Sequence, residues 1–261
     1  MEKAGRTDLK EIKELLREKL TRDEKNLFVA EGAKLAEDIA CRKGLAVTVL
    51  ISGSFNMKNP GFAEKMIKKD IRVILAGDRE TEKICSLRSP EGVLMVARKP
   101  FVGMDARSLD PRGDILLLDN IQDPGNLGAM IRLAAAFGIK AVVLYGDCAD
   151  EFNSKTVRAS SGTILQVPVL RAGKEDIDEL KRAGRTFLAG SASPDTSDDL
   201  GKTLGRPGAK IIAFGSEGKG LSGEIKERAD VLFRIPMEKG VESLNVATAA
   251  AIALYEMRKG K

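Results

Sequence analysis

The chain alternates two rhythms of apolar and polar positions. Leu9, Ile12, Leu15, Leu16 and Leu20 recur at helical spacing among Lys, Glu and Arg, so residues 8–20 are expected to form an amphipathic helix. Short apolar runs follow at Leu27–Ala30, Ala46–Ile51, Ile71–Leu75 and Gly92–Ala97, with helical patterns between them. That alternation predicts a smaller α/β domain over residues 1–98. Residues 99–112, with two prolines and a glycine among mostly polar positions, read as a linker. From Asp114 the rhythm restarts with six apolar runs: Ile115–Asp119, Ala141–Tyr145, Gln166–Leu170, Thr186–Ala189, Lys210–Phe214 and Val231–Ile235. Apolar strands separated by helical segments predict a parallel-sheet α/β domain over 113–261, covered on both faces. In such sheets ligands sit beyond the carboxyl ends of the strands, so the loops that follow them are where chemistry is expected.

Composition narrows the classes. The 261 residues fit one or two domains, and 43% hydrophobic with 31% charged residues is ordinary for a folded soluble protein. The longest uncharged apolar run, Val246 to Tyr255, is far short of the roughly 20 residues of a membrane helix. No signal-peptide core follows the charged N-terminus, so a cytoplasmic location and no membrane partner are expected. Cysteines at 41, 85 and 148 lack paired spacing, which suits a reducing compartment and excludes zinc-ribbon patterns. Histidine is absent, which removes Ser-His and Cys-His triads and His-ligated metal sites. No metal is expected. The net charge is +5, and residues 1–112 carry 23 Lys and Arg against 18 Asp and Glu, while residues 113–261 carry 20 of each. A basic module joined to a neutral one suits a polyanion-recruiting domain beside a site-bearing one, although so modest a bias also arises by chance.

Three loops carry the chemistry. The first runs from Asp119 through Pro124, Gly125 and Asn126 to Arg132, a strand end, a turn and a helix start. Leu127, Met130, Ile131 and Ala134 share one helical face and Arg132 lies off it, free to face a ligand. Taken alone, Asn126 reads as a helix cap and Arg132 as a solvated charge. The second is Phe214-Gly215-Ser216-Glu217-Gly218-Lys219-Gly220, whose glycines let main-chain N–H groups approach a ligand. It is no Walker A loop, since Leu221 follows Gly220, and no G-x-G-x-x-G follows any strand. Alone, it reads as a turn before a helix capped by Ser222. The third is Ile235-Pro236-Met237 and then Ser243-Leu244-Asn245, where Ser243 or Asn245 can cap a final Ala-rich helix.

In this order, Asn126-x-Gly128-x-x-x-Arg132, Gly215-x-Glu217-x-x-Gly220 and Ile235-Pro236-Met237 with Ser243-Leu244-Asn245-x-Ala247 resemble the three motifs of the SpoU or TrmH-type RNA methyltransferases of the SPOUT superfamily. Phe28-Val29-Ala30-Glu31-Gly32 and Pro90-Glu91-Gly92-Val93-Leu94 look like hallmarks of that family's substrate-binding domain, which is similar to RNA-binding ribosomal proteins. The resemblance spans almost the whole chain. It implies a deep trefoil knot in the second domain, a homodimer, and S-adenosylmethionine held by loops that include Leu188, Gly190, Gly215, Gly220, Ile235, Met237, Ser243 and Leu244. The implied reaction is methyl transfer to a ribose 2'-hydroxyl of RNA, with ribosomal RNA favoured over transfer RNA by the separate N-terminal domain. Arg132 is the implied catalytic residue, as base or organiser, with Asn126, Glu217, Ser243 and Asn245 as its hydrogen-bond frame. A guanidinium stays protonated in ordinary surroundings, which favours positioning. Aromatics are only 4%, so shape and charge rather than base stacking are expected to recruit RNA. Lys155, Arg158 and Lys219 stay open as RNA contacts or solvated charges. Two alternatives stand beside this: a non-catalytic RNA-binding or ribosome-assembly protein of the same fold, and a nucleotide-dependent enzyme with phosphate on the Gly215 loop.

Overall fold

The computed structural model describes residues 1–191, 198–204, 207–238 and 240–259. They form two units, one of residues 1–102 with 152–165 and the other of 103–151 with 166–261. The first is built on a five-stranded sheet of β1 (Glu2–Lys3), β2 (Leu27–Glu31), β3 (Ala46–Ser52), β4 (Arg72–Ala76) and β5 (Val93–Arg98), in spatial order β1-β4-β3-β5-β2. β5 runs antiparallel to both neighbours and the other pairs are parallel. Phe28, Leu50, Ile51, Ile74, Leu94 and Met95 are fully buried on this sheet. The expected helix over 8–20 is instead two helices, Arg6–Arg17 and Lys19–Lys25, with Glu18 extended between them. The break exposes Leu20 and turns the buried Arg22 back, so that its guanidinium donates to the Leu15 carbonyl at 2.6 Å. That carbonyl lies in the last turn of the first helix, where no intrahelical partner exists.

Residues 152–165, placed with 113–261 by the sequence pattern, pack in the first unit. Phe152 meets the Phe28 ring at 5.0 Å between centroids, under the Lys99 ammonium. Arg158 donates to Glu31 Oε1 at 2.6 Å and to Ser86 Oγ at 2.7 Å. Glu31 is a buried carboxylate, and pairing with several hydrogen bonds is what makes such burial tolerable. No periodicity in these fourteen residues announces where they dock, because the match is between single side chains.

The second unit is a seven-stranded, wholly parallel sheet of β6 (Ile115–Asp119), β7 (Ala141–Tyr145), β8 (Val169–Ala172), β9 (Thr186–Gly190), β10 (Asp198–Asp199), β11 (Lys210–Gly215) and β12 (Val231–Arg234), in order β10-β12-β9-β11-β6-β7-β8. Leu117, Val143, Phe187, Ile211 and Ala213 pack on Ile177, Leu180 and Ile225 of the helices Lys174–Arg182 and Gly223–Arg228. The opposite face bears the helices Pro124–Ala136 and Val246–Lys259, which pack against each other. Burial on both faces is why these strands read as unbroken apolar runs. The expected strand at Gln166–Leu170 begins at Val169 instead, because Pro168 has no N–H for the ladder and contributes only its carbonyl, to Val142 N at 2.9 Å.

Candidate active site

β6 ends at Asp119, and the chain re-enters a helix at Pro124, whose fixed φ and missing N–H suit a first helical position. The cap is Asp123, which accepts the Asn126 N–H at 2.9 Å. Asn126 is therefore not the cap that its position suggested, and its side chain is left for other work. Asn126 Nδ2 donates to Glu217 Oε1 at 3.0 Å, and Asn245 Nδ2 donates to the same oxygen at 2.6 Å and to Asn126 Oδ1 at 3.1 Å. Asn245 Oδ1 accepts from Ala247 N at 3.0 Å and Thr248 N at 3.2 Å, capping the last helix. One residue from each of the three loops thus meets in a single hydrogen-bonded cluster. Arg132 is exposed on the Pro124–Ala136 helix, off the buried stripe of Leu127, Met130, Ile131 and Ala134.

Beside this cluster lies a cleft of about 430 Å³. Its walls are Gly190, Ser191, the Phe214–Leu221 loop, Phe233, Ile235, Met237, Ser243, Leu244 and the start of the last helix, with Lys219, Lys226 and Glu242 at its edge. Gly190, Gly215, Gly220, Ile235, Met237, Ser243 and Leu244 of the expected cofactor set therefore line one cavity, together with Glu217. Leu188 does not reach it. It is fully buried inside β9, paired to Ile212 and Val231 on either side, and the strand's end at Gly190 and Ser191 takes its place. Asn126, Arg132 and Asn245 stand outside the lining.

Glycine is required at one of these positions and closely packed at a second. A Cβ on Gly215 would overlap the Gly220 carbonyl and the Leu221 nitrogen, so only glycine lets the loop close on itself through the Gly220 N–H to Ser216 O bond at 2.8 Å. A Cβ on Gly190 would lie 3.2 Å from the Phe214 ring, which packs edge-on with Phe233 at 6.0 Å and floors the cleft.

Two further residues support the site. Asp119, fully buried, accepts the Ser222 N–H at 2.6 Å and Asn120 Nδ2 at 2.7 Å. Cys148 receives the Ile121 N–H at 3.3 Å, and burial pushes its thiol pKa up, leaving it inert beneath the turn. Asp123 was legible as an Asp-Pro helix start. Asp119, a carboxylate ending an otherwise apolar strand, was the signal that sequence reading passed over. Ser222 takes the N-cap position but its hydroxyl makes no cap bond. Of the three cations left open, Arg158 is committed to Glu31 in the first unit, while Lys155 and Lys219 are exposed.

A parallel sheet with a glycine-walled cleft at the carboxyl ends of its strands defines an α/β enzyme class that holds a small ligand by loop backbone. The chain belongs to the SpoU rRNA Methylase family, matched over residues 114–255, and residues 7–95 match an MRM3-like substrate binding domain. It is 30% identical, over 99% of its own length and 98% of the relative's, to the 23S rRNA (guanosine(2553)-2'-O)-methyltransferase RlmP of Bacillus subtilis. Among solved structures it resembles the AdoMet-bound rRNA methyltransferase from Sinorhizobium meliloti, with a TM-score of 0.84 and 30% identity over 99% of this chain and 97% of that one. The TrmH/SpoU tRNA-modifying enzyme of A. aeolicus matches only 57% of this chain and 75% of its own, with a TM-score of 0.51 and 26% identity.

Proposed function

We propose that this protein transfers the methyl group of S-adenosylmethionine to a ribose 2'-hydroxyl of RNA, with ribosomal RNA as substrate. The observation that carries the reading is the meeting of Asn126, Glu217 and Asn245 beside the glycine-walled cleft. The residues present fit the cofactor: apolar side chains at Phe214, Ile235, Met237 and Leu244 suit a flat base, and Ser191, Glu217 and Ser243 in the same lining suit its polar edges. When bound, S-adenosylmethionine supplies an electrophilic methyl group. The chain's task is then to hold the hydroxyl in line, which can provide most of the rate. Arg132 positions the RNA phosphate and ribose, and the cluster around Glu217 fixes the loops that flank it. An alcohol needs help with its proton, and with no histidine in the chain that help comes from this polar frame.

The first unit recruits RNA by charge. Arg42, Lys43, Lys68, Lys69 and Arg98 gather where β3 and β4 begin and β5 ends, and none has a carboxylate partner among the described residues. The preference for ribosomal RNA rests on the whole-chain similarity to RlmP against the partial similarity to the tRNA-modifying enzyme. The proposal extends to a trefoil knot, supported by a strand order in which β11 and β12 flank β9. It extends also to a homodimer, supported by Tyr255 and Leu232 standing exposed, and to a cytoplasmic site of action. Among the described residues no helix is long and apolar enough to cross a membrane.

Incubation with methyl-labelled S-adenosylmethionine and separate unmodified ribosomal and transfer RNA pools, then alkaline hydrolysis, tests this. Label in an alkali-resistant dinucleotide from ribosomal RNA is expected. Donor binding without label in either pool would move the substrate to an assembled ribosomal particle, and absent donor binding would leave the non-catalytic RNA-binding alternative.

A further inference from the structure

The loop from Gly215 to Leu221 has two feet, and both stand on Asp119. The sheet sets the first, since Gly215 lies opposite Asp119 in the register of β11 against β6. The side chain sets the second, since the Ser222 N–H donates to Asp119 Oδ2 at 2.6 Å. The other carboxylate oxygen accepts from Asn120 Nδ2 at 2.7 Å, and Asn120 Oδ1 accepts the Asp147 N–H at 2.8 Å. Those two bonds hold Asn120 in the left-handed region, at φ 56°, and so shape the turn that leads to Asn126. Asp119 is 0% exposed and has no ion pair among the described residues. Burying a carboxylate is expensive, and nothing in the apolar strand Ile115–Leu118 calls for one. The cost makes sense through what the carboxylate holds.

We propose that Asp119 is a positioning residue of the cofactor cleft, clamping the glycine loop at its base so that the loop backbone and Glu217 stand in one geometry before any ligand arrives. The inference rests on reading the cleft as the S-adenosylmethionine site. Asp119 is not part of the cleft lining, so it acts through Ser222 and the loop. A loop that fluctuates must be ordered when ligand binds, whereas a clamped loop has met that entropy cost during folding. Loss of the clamp therefore falls on affinity and KM for the cofactor, with kcat at saturation retained.

Two variants cut the same bond from opposite sides. Asp119→Asn keeps the shape but offers one oxygen to two donors. Ser222→Pro deletes the N–H at a residue whose φ is already −62°, inside the range of proline. In isothermal calorimetry on the full chain, each is expected to weaken S-adenosylmethionine binding about tenfold. The double variant is expected to bind about as well as either single one, because both remove one interaction. Hydrogen exchange is expected to quicken at residues 216–221 and stay unchanged in β6 and β11. Wild-type affinity in both variants would overturn the proposal, as would equal quickening across β6 and β11, which would make Asp119 general scaffolding. If Asp119→Asn fails to fold, Ser222→Pro decides by the same two readouts. A wild-type chain that binds no S-adenosylmethionine would sink the functional reading instead, and exchange at 216–221 would still judge the clamp.

Discussion

Both units place glycines and carboxylates at the ends of their strands, yet in different surroundings. In the first unit the carboxylates tie one loop to the next. Glu91 Oε2 accepts the Ala33 N–H at 2.8 Å, Asp78 Oδ1 accepts the Ser54 N–H at 3.0 Å, and Gly92, at φ +89°, leaves room for the Ser52 hydroxyl. In the second unit the carboxylate of Asp119 is withdrawn to the base of its loop, and the glycines above it wall a cleft. A glycine-carboxylate loop is therefore not a site in itself. What decides here is burial: Glu91 and Asp78 bridge loops at the exposed surface, whereas Asp119 is buried beneath a loop that walls a cleft of about 430 Å³.

Arg132→Ala is expected to lower single-turnover methylation roughly 10²–10³-fold while calorimetric S-adenosylmethionine binding is unchanged. Normal turnover with unchanged binding would remove Arg132 from the mechanism. Next come paired glycine substitutions. Gly215→Ala is expected to weaken cofactor binding roughly tenfold to a hundredfold, because overpacking against the Gly220 backbone displaces the cleft wall. Gly92→Ala is expected to lower the melting temperature through its clash with Ser52 and leave cofactor affinity alone. Equal effects of the two on binding would erase the distinction between the units.

Smaller again is the effect of charge on RNA. Replacing Arg42, Lys43, Lys68 and Lys69 together with Gln should raise KM for RNA, and the slope of log affinity against log salt should become shallower by roughly 3. An unchanged slope would place the phosphate contacts elsewhere. The smallest effect is on pH dependence. Tyr145 donates its hydroxyl to Glu224, and that bond pushes its pKa up to about 12. The folded value lies above the unfolded value near 10. Its stabilisation is thus complete below pH 10 and lost as pH rises towards 12. Asp78 runs the other way. The Ser54 N–H holds its carboxyl below the usual range, so its contribution is present above about pH 4 and lost as pH falls. Melting curves of Tyr145→Phe and Asp78→Asn against wild type should converge with wild type only at alkaline and only at acid pH, respectively.

Much of the second unit was legible because its strands are apolar on both faces and bounded sharply. Ile115–Asp119 and Ala141–Tyr145 stand where the hydrophobic runs put them. The three loops were legible as motifs, and the structure brings Asn126, Glu217 and Asn245 together. What escaped was decided by single long-range bonds with no periodicity. The docking of 152–165 depends on Arg158 finding Glu31, and the break at Glu18 depends on Arg22 reaching Leu15. Asp123 rather than Asn126 takes the helix cap because an Asp directly before Pro124 is already placed for it. β1, two charged residues beside β4, carries no pattern at all.

Asn245 ties the timing of folding to the chemistry. Its partners lie 28 and 119 residues away along the chain, and Asn126 and Glu217 are themselves 91 apart. Loops of that span close slowly, after local helices and neighbouring strands have formed. Because the same amide oxygen caps the last helix, only the docked helix presents the amide nitrogen to Glu217. A refolding chain should therefore recover its circular dichroism before its catalysis, and a slow step in docking the last helix would show first as missing turnover in molecules that already look native.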